Sequence, residues 1–480
     1  MKIPPGSVHR IRSRTYRTYQ RRVAAQEVIQ ETLTGILRVN NTVHAFSYVD
    51  AVGALSYANK MDRHTPHGAK PLPLIGVPFA VADLDDCLGM PSRYGSPLYQ
   101  DVRPSAVDSP VVRRLRAAGA IPVGKTAVSE FGWGQEARTD AGAVTRNPWH
   151  CTRSPGGGSG GAAVAVAAGL VPFAIGSHWH DGIRVGAAHC GLVGFKPSQG
   201  LVPSSGQRTP GNYGGNLQCV GILTTSVADA ALVLESVAGP ASYDRESLAH
   251  LAEPYVEQLR RPVPPAMRIG WLSGLGGSLV DLETRMFAHE VAGRVAAAIG
   301  GPLEVVRPDL DDLGPLTVLA QVGLAATLAA AGLLPRALRE CEPDVRAAIA
   351  GVVDPGDGVP GLLSRLARAD QCRAQVQTCV MDVFERSDVL LTMYVSGAAP
   401  AADYLSQGVT GEVDPQPRDL LANACWLPAA SVPIGFSAAG LPIGLQIIAR
   451  YGQDSTVLSV ARVVEQVCSR WWDQHETMTG

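Results

Sequence analysis

Two short segments of this 480-residue chain hold most of the residues whose types and spacing suit chemistry. The first is Ser154-Pro155-Gly156-Gly157-Gly158-Ser159-Gly160-Gly161, and the second is Ser177-His178-Trp179-His180-Asp181-Gly182-Ile183-Arg184. In the second, an imidazole adjoins a carboxylate, the commonest general acid/base pairing near neutral pH. A second imidazole lies two residues upstream. His180, Asp181 and His178 are therefore the candidate catalytic groups. His178-x-His180 also sets two imidazoles on one side of an extended segment, so metal binding completed by Asp181 or Asp83 stands as an alternative. A lone His-x-His is a weak signal, and no metal or other cofactor is assigned. The glycine run matters differently. It leads into an Ala-rich segment, and N–H groups at such a helix start bind an anion or a developing oxyanion.

The elements that must hold these segments are legible from periodicity. Arg21 to Val39 carries Val23, Val28, Ile29, Leu33, Ile36 and Leu37 at roughly helical spacing, and Asp50 to Met61 reads as a second helix. Gly76 to Ala82 is a buried strand, Val111 to Ala118 a helix, and Ile121 to Gly124 the next strand. Gly160 to Leu170 is the helix that starts on the glycine run, and Pro172 to Gly176 a strand feeding the His/Asp loop. Farther on, Val318 to Leu334 and Leu362 to Glu385 have helical composition, with a break at Pro355-Gly356-Asp357-Gly358.

Composition bounds the function classes. A net charge of -2 and 46% hydrophobic residues describe a folded protein with a large core. No basic run interleaved with aromatics points to nucleic acid. The apolar stretch from Gly161 to Ile175 is rich in Ala and Gly and bounded by turns, so it reads as a buried helix and strand rather than a membrane span. The first twenty-odd residues, rich in Arg and without an acid, read as a frayed, solvated arm, and no apolar run follows Met1 to suggest a secretion signal. Nine cysteines without a Cys-x-x-Cys pair suit a reduced, cytoplasmic protein.

The motifs also resemble those of the amidase signature family, densely from about Gly76 to Ser205 and again from Asn423 to about Glu465. Gly76-Val77-Pro78-Phe79-Ala80-Val81-Ala82-Asp83, Glu130-Phe131-Gly132-Trp133-Gly134, Cys190-Gly191-Leu192-Val193-Gly194-Phe195-Lys196-Pro197 and Gly440-Leu441-Pro442-Ile443-Gly444-Leu445-Gln446 carry it. The resemblance implies one α/β/α domain around a large mixed, mostly parallel twisted sheet, with helices on both faces. It also implies a serine nucleophile, a relay serine and a lysine base, and those positions fall here on Gly182, Gly158 and Ala82. None of the three can do that work. Only five lysines exist (Lys2, Lys60, Lys70, Lys125 and Lys196), and none is an obvious substitute. His180 and Asp181 fall on the two glycines whose backbone approaches the carbonyl in the family.

The expectation is therefore a degenerate family member. It is read as repurposed for non-hydrolytic acid/base chemistry, such as cyclisation, isomerisation, elimination or condensation of a small molecule. A non-catalytic pseudo-amidase and an amide or ester hydrolase using water activated through His180 are the alternatives. Ala82, Asp83, Gly158, Ser159, Trp179, Gly182 and Trp426 are the expected substrate-binding residues, with Trp179 and Trp426 as an aromatic wall. The partner is a small molecule, not nucleic acid or membrane, and a homodimer is left open. Four regions are expected: a helical layer over 1–70, the signature core over 71–240, a partly helical insertion over 241–395, and a return to the sheet over 396–480.

Overall fold

The computed structural model describes residues 23–64, 72–134, 136–140, 142–179, 182–204, 217–242, 244, 246–248, 253–273, 282–308, 313–353, 356, 358–393, 399–402 and 417–469. The expected N-terminal arm lies outside them. The first helix, α1 (Ala25–Val43), buries Val28, Ile29, Leu33 and Ile36, as their spacing predicts, while Leu37 is exposed. Then follow β1 (Phe46–Val49), α2 (Ala51–His64), β2 (Pro78–Ala82), α3 (Pro110–Ala117) and β3 (Ile121–Thr126). The glycine run opens α4 (Gly160–Ala167), and β4 (Phe173–His178) leads to α5 (Gly182–Cys190). The core continues through β5 (Val193–Lys196), β6 (Cys219–Thr224), α6 (Val227–Val237) and α7 (Tyr255–Gln258).

The divergent region supplies strands as well as helices. It holds β7 (Ile269–Leu272), α8 (Leu282–Ile299), β8 (Leu303–Val306), α9 (Thr317–Ala330), α10 (Leu334–Glu340), α11 (Pro343–Val353), α12 (Gly358–Arg386) and β9 (Val389–Met393). The chain closes with α13 (Pro417–Ala424), β10 (Ala429–Phe436), β11 (Pro442–Ala449) and α14 (Asp454–Val467).

These strands form one 11-stranded sheet in the order β1-β3-β2-β4-β6-β5-β10-β11-β9-β7-β8. The sheet is mixed, but not mostly parallel as expected. β2 pairs parallel with β3 and β4, and β7 with β8 and β9, whereas the other six pairings are antiparallel. The short turn from Ser437 to Leu441 joins β10 to β11, and a connection that short cannot return a strand in parallel. Helices cover both faces. One face packs α1, α2, α4 and α5 through Ala80, Val164 and Ile183, and the other packs α3, α6, α8 and α14 through Val77, Phe79 and Val81. Helices α9 to α11 pack on Leu84, Tyr94 and Phe131, just beyond the end of β2. They therefore wall the region where the two motifs meet.

The start of α4 fits only because it is glycine. A methyl group on Gly161 would lie 2.5 Å from the carbonyl oxygens of both Ala127 and Ala45. Backbone cannot give way as a side chain can, so Gly161→Ala should lose at least about 2 kcal/mol of stability, beyond the ~1 kcal/mol alanine gains in a helix. Gly293 in α8 has open space around it, and Gly293→Ala should raise stability by about 0.5–1 kcal/mol. Urea unfolding of the two variants checks both; an unchanged midpoint for Gly161→Ala would contradict the close approach.

Candidate functional site

The two motif segments converge. Gly157 adopts φ +43°, and a methyl on it would sit 3.0 Å from Gly182 Cα. A methyl on Gly182 would lie 3.2 Å from the backbone nitrogens of both Gly158 and Ser159. Ser159 is the residue before α4, and Gly182 is the first of α5, so two helix N-termini meet at one point. The aligned peptide dipoles of the two helices favour negative charge there. The Gly158 and Ser159 backbone nitrogens lie against Gly182, whereas the Gly160, Gly161 and Ala162 N–H groups are bonded to the carbonyls of Gly157, Ala127 and Ser159. Ala82, at the end of β2, joins the same cluster: a methyl on Gly176 would meet Ser159 Oγ at 2.8 Å and Ala82 Cβ at 2.9 Å. Ala82, Gly158, Ser159 and Gly182 are thus brought together, as expected.

The side chains around this junction are few and mostly buried. Ser159 is fully buried, and its hydroxyl makes no hydrogen bond among the described residues. Thr126, in register with Ala82 on the neighbouring strand, has a buried hydroxyl in the same condition. His178 lies on the Gly176 face of β4, since strand side chains alternate. Its ring lies over Gly221 together with Ile183, the second residue of α5. Of the expected catalytic set, His178 is therefore at the junction, while His180 and Asp181 lie outside the described residues. Among the described residues no group of three or more His, Cys, Asp and Glu is arranged to hold a metal ion.

Three expected site residues, Asp83, Trp179 and Trp426, have partners that the sequence did not suggest. Asp83 forms a buried ion pair with Lys125 Nζ at 2.9 Å and accepts from the Arg93 backbone N–H. Burial pushes its carboxyl upward, and the Lys125 charge and hydrogen bond oppose that shift. Lys125 also donates to Ser92 Oγ at 3.0 Å, so the pair anchors the chain beyond β2. On the other face of β4, Asp85 accepts from the Ser177 backbone N–H and hydroxyl at 3.0 and 2.7 Å. The expected Trp179–Trp426 wall is also replaced. Trp179 stacks on Trp133, with ring centroids 4.8 Å apart, because the turn at Glu130–Gly132 delivers Trp133 beside the end of β4. Trp426 sits at φ +61° with Arg373 over its ring at 5.0 Å. That conformation ordinarily favours glycine.

Three groups that sequence reasoning missed border the Trp133 side. Glu130 accepts from Ser96 Oγ and from the Glu342 backbone N–H, both at 2.6 Å. Arg138 pairs with Glu136 and reaches Glu342 at 3.3 Å. Glu342 Oε2 lies 3.9 Å from where a methyl on Gly134 would stand. Glu342 comes from the α10–α11 junction, far away in sequence, so no local pattern announced it; Glu130 and Trp133 were visible only as parts of a motif. Behind the junction, Arg184 is fully buried, donating to Asn423 Oδ1 at 2.8 Å and to Gln446. This ties the first turn of α5 to the C-terminal return.

The family model described as Amidase matches residues 27–458. The chain belongs to the amidase family. It is 31% identical over 487 aligned residues to a glutamyl-tRNA(Gln) amidotransferase subunit from a Cyanothece species (strain PCC 7425), covering 94% of this chain and 96% of that one. It is 25% identical to a 6-aminohexanoate cyclic dimer hydrolase solved with substrate, at a TM-score of 0.82 over 96% of this chain and 97% of that one. A bacterial aryl acylamidase shares the fold at a TM-score of 0.87 over 98% of both chains, with 24% identity. These similarities overturn the expectation of a non-hydrolytic cyclase or isomerase. A full-length relative at that identity is named for amide chemistry, and enzymes of this family act as amidases and amidotransferases. No single described helix is long and apolar enough to cross a membrane.

Glu342 gives the site a pH signature. Its carboxyl is raised to about 7, first by desolvation and next by the Glu130 charge, against the pull of Arg138. A raised acid is protonated in the folded state where the unfolded chain has already ionised. Stability should therefore fall as pH rises from about 4.5 to about 7. Glu342→Gln should flatten that slope, gaining stability at pH 8 while changing little at pH 4.5; parallel slopes for both proteins would contradict the assignment.

Proposed function

We propose that this family member lacks the Ser–Ser–Lys triad and hydrolyses a carboxamide by direct attack of water, without a seryl ester. The observation that carries the reading is the meeting of the α4 and α5 N-termini at Gly158, Ser159 and Gly182, where the Gly158 and Ser159 backbone nitrogens lie against Gly182 and Ser159 supplies the one hydroxyl of these three residues. An amide carbonyl oxygen set there gains hydrogen bonds as it takes up negative charge, the usual largest contribution to acyl-transfer catalysis. The names of the amidotransferase relative and of the hydrolase among the structural neighbours support an amide as the substrate class.

His178 is the base in this reading. It is the imidazole on the Gly176 face of β4, 5% exposed and beside Ile183. Water oxygen bonds to the carbonyl carbon as its proton passes to His178. The protonated imidazole then gives that proton to the leaving nitrogen, the C–N bond breaks, and a carboxylic acid and an amine result. The Ser159 hydroxyl is placed to hold the water, and the Trp133–Trp179 stack to flank the acyl or amine group.

The test is release of amine from a panel of primary carboxamides and anilides by the purified chain. With a substrate in hand, His178→Ala should lower turnover by about a hundredfold or more and remove the neutral limb of the pH profile. Gly182→Ser should not raise activity, because its Cβ would crowd two backbone nitrogens at 3.2 Å and no amine stands at Ala82 to activate it. Turnover that survives His178→Ala but disappears in His180→Ala would move the base to residue 180. Failure of the folded protein to hydrolyse any amide in the panel would overturn the proposal.

A further inference from the structure

The half of the sheet farthest from the junction carries a second candidate site. β7 has β8 on one side and β9 on the other, all parallel. The chain leaves β7 through α8 to reach β8, then crosses through α9 to α12 to reach β9. β7 and β8 end together, Leu272 opposite Val306. At that end of β7 and β8, against α8, lies a groove of about 730 Å³. That is within the range of roughly 300–1,000 Å³ typical of small-molecule sites.

Its lining is amphipathic. Trp271 forms the floor at 4% exposure, with its ring held edge-on by His289 at 5.2 Å. Met286 and Val305 stand in the walls at 64% and 56% exposure, apolar surface left open to water. Arg285, Arg307 and Glu290 are the charged residues of the lining. The Arg307 Nε donates to Ser273 Oγ at 3.2 Å, which fixes one guanidinium at the groove. An apolar floor and walls beside two guanidinium groups complement a ligand with a flat apolar body and one carboxylate.

We infer that this groove binds a small aryl or arylalkyl carboxylate, at a site separate from the two-helix junction and not dependent on the amide-hydrolysis reading. Titration calorimetry of the full chain with 2-naphthoate tests it, with the neutral 2-naphthylmethanol as the comparison. Naphthoate should bind at least tenfold more tightly than the alcohol. Arg285→Ala and Arg307→Ala should each weaken naphthoate about tenfold while leaving the alcohol unchanged, and Val305→Asp should weaken both. Circular dichroism would confirm that each variant is folded. Any of three results would overturn the inference: no naphthoate binding, equal affinity for acid and alcohol, or binding that survives both arginine variants and is lost instead in Gly182→Ala.

Discussion

Everything at the junction depends on how closely two helix starts approach. The Gly157 and Gly182 backbones are near enough that a methyl on the first would sit 3.0 Å from the Cα of the second. Gly161 meanwhile lies against the carbonyls of Ala45 and Ala127. This approach brings the Gly158 and Ser159 backbone nitrogens against Gly182 and aligns the starts of α4 and α5 on one point. Among the described residues the point is lined chiefly by backbone, whose peptide dipoles add to its polarity. Side chains enter from the periphery: Ser159 at the start of α4, His178 from β4, and Trp133 and Trp179 as a stacked pair.

The buried charges around this point position the backbone. Asp83 with Lys125 secures the chain leaving β2, and Asp85 with Ser177 secures β4. Arg184 with Asn423 and Gln446 ties the first turn of α5 to segments that follow hundreds of residues later. Lys196 spends its ammonium on the carbonyls of Pro197 and Leu427, and burial pulls its pKa down. The two buried lysines thus hold the framework, and neither replaces a base at Ala82. Each pair would be costly to break from one side, because the remaining charge would be left in a dry interior.

Much of this was legible in the chain itself. The periodic helix at the N-terminus, the strand ending at Ala82 and the helix opening on the glycine run all follow from local pattern, and the motif order brought Ala82, Gly158 and Gly182 to one place. What escaped depended on contacts between distant segments. An aspartate beside the old lysine position reads equally well as a ligand group or as half of an ion pair, and only the neighbouring strand carrying Lys125 decides. Trp179 found Trp133 rather than Trp426, and Glu342 arrives from the helical region. Sheet direction was misjudged because α/β alternation at the start of the chain does not persist through β5, β6, β10 and β11. The reaction class was misjudged as well. The residues at three motif positions bear on how the reaction runs, and they do not say that the substrate class has changed.

Intact-mass spectrometry of the protein quenched during steady turnover of an amide substrate tests the central claim most directly. Amine release with the protein staying at its unmodified mass is the predicted result. A population heavier by the acyl group of the substrate would show that the chain forms a covalent ester after all, and would contradict direct attack by water.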